Sequence, residues 1–233
     1  MIHLPGGQGL PGFFLIGQGR RERRLRIIGL TGGIACGKSH VSQVLRTLGA
    51  AIIDGDVLSR QLTAPGGPAI PAIREQFGAE VFLADGQLNR RALAERIFQQ
   101  ETERKKLDAI MQPLILRQIH QALTAAREAQ VPVCVLDMPL LYEQGLETLC
   151  DRVWCVSLPE EEQLRRLMQR DQLTKTQAQA RLRSQMPAGE KADRADVVID
   201  TSGTLEETAA LIPALYRAEI TRREEESDGT ATP

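Results

Sequence analysis

The chain is poor in aromatic residues, which make up 3% of its 233 residues, so any core must be built from Leu, Ile, Val and Ala. It has 4 cysteines and 3 histidines, without a Cys-x-x-Cys pair or any metal-ligand spacing between them. That excludes a disulfide scaffold and a zinc module, and the simplest reading is a reduced, cytoplasmic protein. An excess of charge of either sign is missing too. A net charge of −1 supplies no global field to gather a polyanion. Nor is there an apolar run near the ~18 residues that a membrane span needs. The short apolar stretch at Gly12–Gly17 is followed, not preceded, by arginines, the wrong order for a secretory signal.

The charge that is present is unevenly placed. Arg20, Arg21, Arg23, Arg24 and Arg26 precede the first apolar run, and Glu224, Glu225, Glu226 and Asp228 close the chain. Residues 1–24, rich in Gly and Pro, read as a disordered extension, and 223–233 as a flexible tail. With 42% hydrophobic residues, the remainder suits one α/β domain with an inserted helical piece, or two small domains.

From Leu25 the pattern is strand, loop, helix, strand: LRIIGL, TGGIACGKS, a helix from Lys38 to about Leu48, then AAIID. Val41, Val44, Leu45 and Leu48 share one helical face, and Gly49 suits a helix C-terminus. From Val57 to about Gln130 the chain reads as helical. Breaks are expected at Pro65–Pro68, Gly78, Asp85-Gly86 and Pro113, with a cap at Asn89. VPVCVLDMPLL and RVWCVSL are continuous apolar runs of the buried parallel kind. A helix follows Pro159. A second is opened by Thr174 and Gln177, at capping-box spacing, and ended by Pro187. DVVID is a last strand, and Thr204 with Glu207 opens the last helix. Strands near 26, 51, 133, 153 and 197 alternating with helices predict a parallel sheet whose ligands sit at the carboxyl ends of its strands.

Gly32-Gly33-Ile34-Ala35-Cys36-Gly37-Lys38-Ser39 matches G-x-x-x-x-G-K-[ST] between an apolar strand and an amphipathic helix. Glycines let backbone N–H groups turn inward around a phosphate, and the helix start adds its positive end. Lys38 would reach the β- and γ-phosphates, and the Ser39 hydroxyl would bind Mg²⁺. Cys36 sits at a variable position, as a small residue that fits. The motif indicates a nucleoside triphosphate; it does not by itself indicate a kinase.

Acidic residues follow at other strand ends. Asp54 and Asp56, two apart, would share one face if the strand stays extended. Asp56 is then the candidate base for a phosphoryl acceptor, and Asp54 a contact to substrate or to a Mg²⁺-bound water. Asp137, closing VCVLD, would hold water on Mg²⁺. Met138 follows it, where a water-activating motor carries a second acid, and no Asn-Lys-x-Asp guanine-reading motif occurs. Arg166 and Arg170, at i and i+4, form a face suited to phosphate oxygens on a lid spanning about 159–187.

LTGGIACGKS, IDGD followed by Arg60-Gln61, QPLI, PLLYE, RLMQRD and RLRSQMPAGEKADRADVVIDTSG, in this order, resemble dephospho-CoA kinases from Leu25 to about Leu215. The resemblance implies a P-loop NTPase-type parallel sheet flanked by helices, with an inserted helical substrate domain at 57–130 and a helical lid. The core would be 25–56 and 131–222. It implies ATP and Mg²⁺ as cofactors and ATP-dependent phosphorylation of the ribose 3′-hydroxyl of dephospho-CoA, without nucleic acid, membrane or obligate protein partner. Asp56 would be the base and Arg166 the lid arginine, working with Lys38. ATP would meet Gly33 through His40, Arg170, and Ser202 and Gly203 near the adenine. Dephospho-CoA would meet Asp54, Arg60, Gln112, Pro139, Leu140 and Glu143. Four positions depart from the family pattern: Gln112 stands where histidine is usual, Gly55 for alanine, His40 for threonine and Thr201 for asparagine. A competing reading, a nucleic-acid-associated ATPase using the arginine arm, lacks the stacking aromatics that single-strand binders use.

Overall fold

The computed structural model describes residues 24–229. β1 (Arg26–Gly32) leads through the glycine-rich loop into α1 (Lys38–Thr47), and β2 (Ala51–Asp54) follows. Four helices come next: α2 (Gly55–Leu62), α3 (Ile70–Phe77), α4 (Arg90–Gln99) and α5 (Glu101–Glu128). β3 (Val133–Asp137) and β4 (Arg152–Ser157) return to the sheet. The chain then forms α6 (Glu160–Asp171), α7 (Lys175–Arg183), α8 (Ala188–Asp193), β5 (Val197–Asp200) and α9 (Leu205–Gly229). The strands make one parallel sheet in the order β2-β3-β1-β4-β5.

Strand alternation splits the core between the two faces of this sheet. Ile27, Ile53, Cys134 and Leu136 face the long helical stretch, against Leu62, Ile73, Phe77, Leu93, Ile115 and Ile119. Ile28, Leu30, Val133, Val135 and Trp154 face α1 and α9, against Val41, Leu45, Ile212 and Tyr216. The register sets Leu30 beside Asp137 and Asp137 beside Asp54, so the glycine-rich loop and the strand-end acids emerge at one edge.

The caps read from sequence are present. Asn89 accepts from the Ala92 amide, and Thr174 with Gln177 forms a full capping box. Thr204 and Glu207 exchange the corresponding bonds at the start of α9.

Three sequence expectations fail, each for a packing reason. Pro113 does not break its helix; α5 runs through it. An interior proline costs about 3 kcal/mol. Met111, Ile115, Ile119 and Leu123 are buried on one stripe, at about 1.5–3 kcal/mol each, and outweigh it. Pro187 does not end α7, which stops at Arg183; it stands at the start of α8, where its missing N–H is not needed. The flexible tail expected from 223 lies, up to Gly229, inside α9. Arg223 is buried and donates to the Arg24 carbonyl at 2.7 Å. Glu226 pairs with Arg26 at 2.9 Å, and Arg26 also pairs with the buried Glu219 at 3.0 Å. The acidic run is thus joined to the last arginine of the basic cluster. Of the extension expected at 1–24, residues 1–23 lie outside the described residues, whereas Arg24 pairs with Asp151 at 2.5 Å.

Candidate active site

The loop between β1 and α1 is shaped to receive an anion. Ala35 (φ 62°) and Gly37 (φ 81°) are both left-handed, a local winding that gathers successive N–H groups into a concavity. Glycine adopts this geometry freely; Ala35 carries a side chain into it at a cost of about 1–2 kcal/mol. No side chain caps α1 and its first turn contains no acid, so the helix start presents its positive end to a ligand.

This loop lines a cavity of about 620 Å³. Gly33 through Ser39 form one part of the wall, Gly55, Asp56 and Ser59 another, and Met138, Pro139 and Leu140 a third. Arg166 and Arg170 of α6 also line it. The Lys38 ammonium is paired with the buried Asp137 carboxylate.

The two acids after β2 separate in role. The strand does not stay extended past Asp54. The chain turns into α2, with Asp54 as the N-cap, its Oδ1 accepting from the amides of Asp56 and Val57 at 2.9 and 3.0 Å. The same-face reading of Asp54 and Asp56 therefore does not hold; only Asp56, exposed, lines the main cavity. Gly55, between them, is in close approach to a neighbour. A methyl group there would collide with the Met138 sulfur, so the glycine found where alanine is usual makes room for a cavity-lining methionine.

Arg166 Nη2 donates to the Thr201 carbonyl at 3.0 Å, and its Nε donates to Glu162 at 3.0 Å. Hydrogen bonds from Arg165 and Arg166 hold the Glu162 carboxyl down at about 2. Arg166 also lines a second cavity of about 270 Å³ with Gly37, His40, Gly203, Thr204 and Leu205. Its guanidinium thus stands between the phosphate loop and the loop after β5. His40 is bonded to the Leu205 carbonyl at 3.0 Å, and the Thr201 hydroxyl donates to the Cys36 carbonyl at 2.8 Å. Ser202 does not line this cavity; its amide donates to Asp200 at 2.8 Å. Arg170 is held by Asp171, which Arg181 of α7 also reaches at 2.6 Å.

On the other side, a cavity of about 310 Å³ shares Ile115, Leu140 and Gln144 with the main one. Gln112 and Glu143 line it, and the Gln112 amide donates to the Gln144 carbonyl at 3.3 Å. Arg60 is exposed and lines none of these three cavities. The Cys36 thiol is 1% exposed, and burial pushes it up to about 11, so proximity to a helix start does not activate it.

Sequence reasoning passed over Lys191, Gln185 and Met138. Lys191 and Gln185 lie within the string that carried the resemblance, yet nothing in their type or spacing separates them from solvated residues. Among the described residues no three His, Cys, Asp or Glu side chains gather to hold a metal ion, and no helix is long and apolar enough to cross a membrane.

The chain is similar to known proteins over most of its length. The family model described as dephospho-CoA kinase matches residues 26–207. A dephospho-CoA kinase of Halalkalibacterium halodurans is 46% identical over 83% of this chain and 97% of its own length. One of Carboxydothermus hydrogenoformans is 44% identical over 79% of this chain and 89% of its own. Among solved structures, a Thermus thermophilus protein is 34% identical with a TM-score of 0.71, over 82% of this chain and 97% of that one. A dephospho-CoA kinase of Campylobacter jejuni, 24% identical with a TM-score of 0.57 over 84% of this chain and 97% of that one, has the same fold. With the glycine-rich loop and Asp56 of α2 lining one cavity, and a family match spanning most of the sequence, this chain belongs to the dephospho-CoA kinase family.

Proposed function

We propose that the chain transfers the γ-phosphoryl group of ATP to the ribose 3′-hydroxyl of dephospho-CoA, forming coenzyme A and ADP, with Asp56 as the base. The observation that carries this is the shared cavity: Asp56 and Lys38 line the same space of about 620 Å³. The inward-turned amides after Gly33 and the start of α1 hold the β-phosphate. Lys38, poised on Asp137, supplies a point charge to the β- and γ-oxygens. The adenine end extends past Arg166 into the smaller cavity at Gly203 and Thr204, outside which Ser202 lies.

The acceptor hydroxyl lies against Asp56, which takes its proton as the new P–O bond forms and the bond to the ADP oxygen breaks. A positioned base of this kind contributes about 10²–10⁴ in rate. Arg166, and Arg170 one turn on, meet the non-bridging oxygens in flight. A planar fork matches them better than an ammonium would. The lid helices α6 and α7 exclude water, which would otherwise compete as acceptor.

Ser39 Oγ and Asp137 offer hard oxygen donors suited to Mg²⁺, which takes one or two protein ligands and completes its shell with phosphate and water. When bound there, it would neutralise charge between the β- and γ-phosphates. Asp54 acts by fixing the start of α2 and hence the aim of Asp56. Leu140, Pro139, Gln112 and Glu143 line the space for the rest of dephospho-CoA. The reaction belongs to the cytoplasm, consistent with four free cysteines.

An acceptor panel tests the proposal: purified protein, Mg-ATP, and nucleosides, nucleotides or dephospho-CoA in turn. ADP release is expected with dephospho-CoA and no response to added DNA or RNA. Equal turnover with simple nucleosides would refute the assignment.

A further inference from the structure

Lys191 on α8 is fully buried, with 0% of its side chain exposed. Burying an ammonium is unfavourable unless partners meet it closely, and an apolar side chain of similar length would fill the same volume at less cost. Here the partners are specific. Lys191 Nζ donates to the Pro139 carbonyl at 2.6 Å and pairs with Glu143 Oε1 at 2.9 Å. The same Glu143 oxygen accepts from the Met186 amide at 2.9 Å. The Thr31 hydroxyl, on β1 just before the phosphate loop, donates to the same Pro139 carbonyl at 3.2 Å.

The ammonium bonds the stretch after β3 directly, and its two partners there tie in two further segments. Thr31 brings the phosphate-loop strand, Pro139 and Glu143 the stretch after β3, and Met186 the loop that leaves the lid. All three segments shape the main cavity next to the bonded atoms, through Gly32, through Pro139 with Leu140, and through Gln185. Glu143 lines the adjoining cavity.

We propose that Lys191 is a positioning residue for the phosphoryl acceptor: its charge fixes the Pro139–Glu143 wall and the Met186 loop against the phosphate loop, so that the hydroxyl is held in reach of transfer. The proposal rests on the kinase reading above. Lys191 itself touches neither substrate.

Turnover of dephospho-CoA by the unmodified protein decides the kinase reading before any variant is made. Lys191→Met, which keeps length and removes charge, is then expected to raise KM for dephospho-CoA about tenfold or more. KM for ATP should stay within about twofold, a split that a general loss of stability does not produce. Amide exchange across 184–190 should quicken, a readout of the contact that needs no turnover. Glu143→Gln keeps an acceptor for the Met186 amide but loses the charge, and should move the same KM the same way. The double variant should lose less than the two single losses combined. Wild-type KM for dephospho-CoA in folded variants, or equal rises for both substrates, would overturn the proposal. If Lys191→Met does not fold, amide exchange across 184–190 in Glu143→Gln, which needs no substrate contact, carries the test, and unchanged exchange there would overturn the proposal.

Discussion

The two halves of the cavity are built in opposite ways. The phosphate side comes from one unbroken stretch, Gly32 to Ser39, whose strand, loop and helix each follow from local residue types. The side proposed for the acceptor is assembled from Gly55, Asp56, Ser59, Ile115, Met138 to Leu140, Gln144 and Gln185, over a hundred residues apart at the extremes. An anion site needs only converging amides and a helix start, and eight consecutive residues can supply them. A site for a large, mixed polar and apolar molecule needs walls on several sides, and a single short segment cannot enclose it. The phosphate side should therefore fail through single residues, and the acceptor side through packing.

Lys38→Ala breaks the phosphate side most sharply. Turnover should fall by about 10³-fold or more, and the melting temperature should fall as well, because the buried Asp137 carboxylate loses its partner. Normal turnover in a folded Lys38→Ala protein would remove the phosphate-loop assignment. Asp56→Asn comes next, with kcat expected down by about 10²–10⁴ and substrate binding, measured by calorimetry, nearly unchanged. Arg166→Lys should also lower kcat, since it keeps the charge and loses the fork.

The acceptor side responds differently. Gly55→Ala would drive a methyl group into the Met138 sulfur, an overpacking that costs about 1–3 kcal/mol. It should lower the melting temperature and raise KM for dephospho-CoA, with KM for ATP unaffected. Met138→Ala in the same protein should restore part of both. A rise in KM for ATP instead would erase the division between the two sides.

The smallest effect concerns Glu162, whose carboxyl Arg165 and Arg166 hold down at about 2. An acid whose folded midpoint is lowered contributes stability above its ordinary range, near 4.5, and loses it as pH falls toward 2. The Glu162–Arg166 pair should therefore stay intact through the working range of the enzyme. Carboxyl NMR should place the Glu162 midpoint far below the other surface glutamates. Glu162→Gln should shift kcat only severalfold, by loosening the aim of Arg166. A midpoint near 4.5 would mean that the pair does not persist in solution.

Particular residues show where sequence reading stopped. Asp54 and Asp56 look equivalent as letters two apart, and only the turn into α2 assigns one to capping and the other to the cavity. Cys36 reads only as a small residue that fits its loop, and packing with Ile28, Leu30 and Val41 on the α1 face is what buries it. Pro113 reads as a stop, and a buried stripe on both sides of it keeps α5 whole. Ser202 and Gly203 are adjacent, yet only Gly203 lines the cavity at Arg166.

The sequence by itself determined the alternation of strand and helix, the phosphate loop, the helix caps and the family resemblance. All of these depend on residues within a few positions of one another, where backbone preferences and short hydrogen bonds decide. Tertiary structure alone decided the buried Lys191 and its partners, the fit of Gly55 to Met138, and the joining of the acidic C-terminal run to the start of β1. In each case the groups that meet are far apart in the chain, and the cost of burying a charge or excluding a methyl group exists only once they have met.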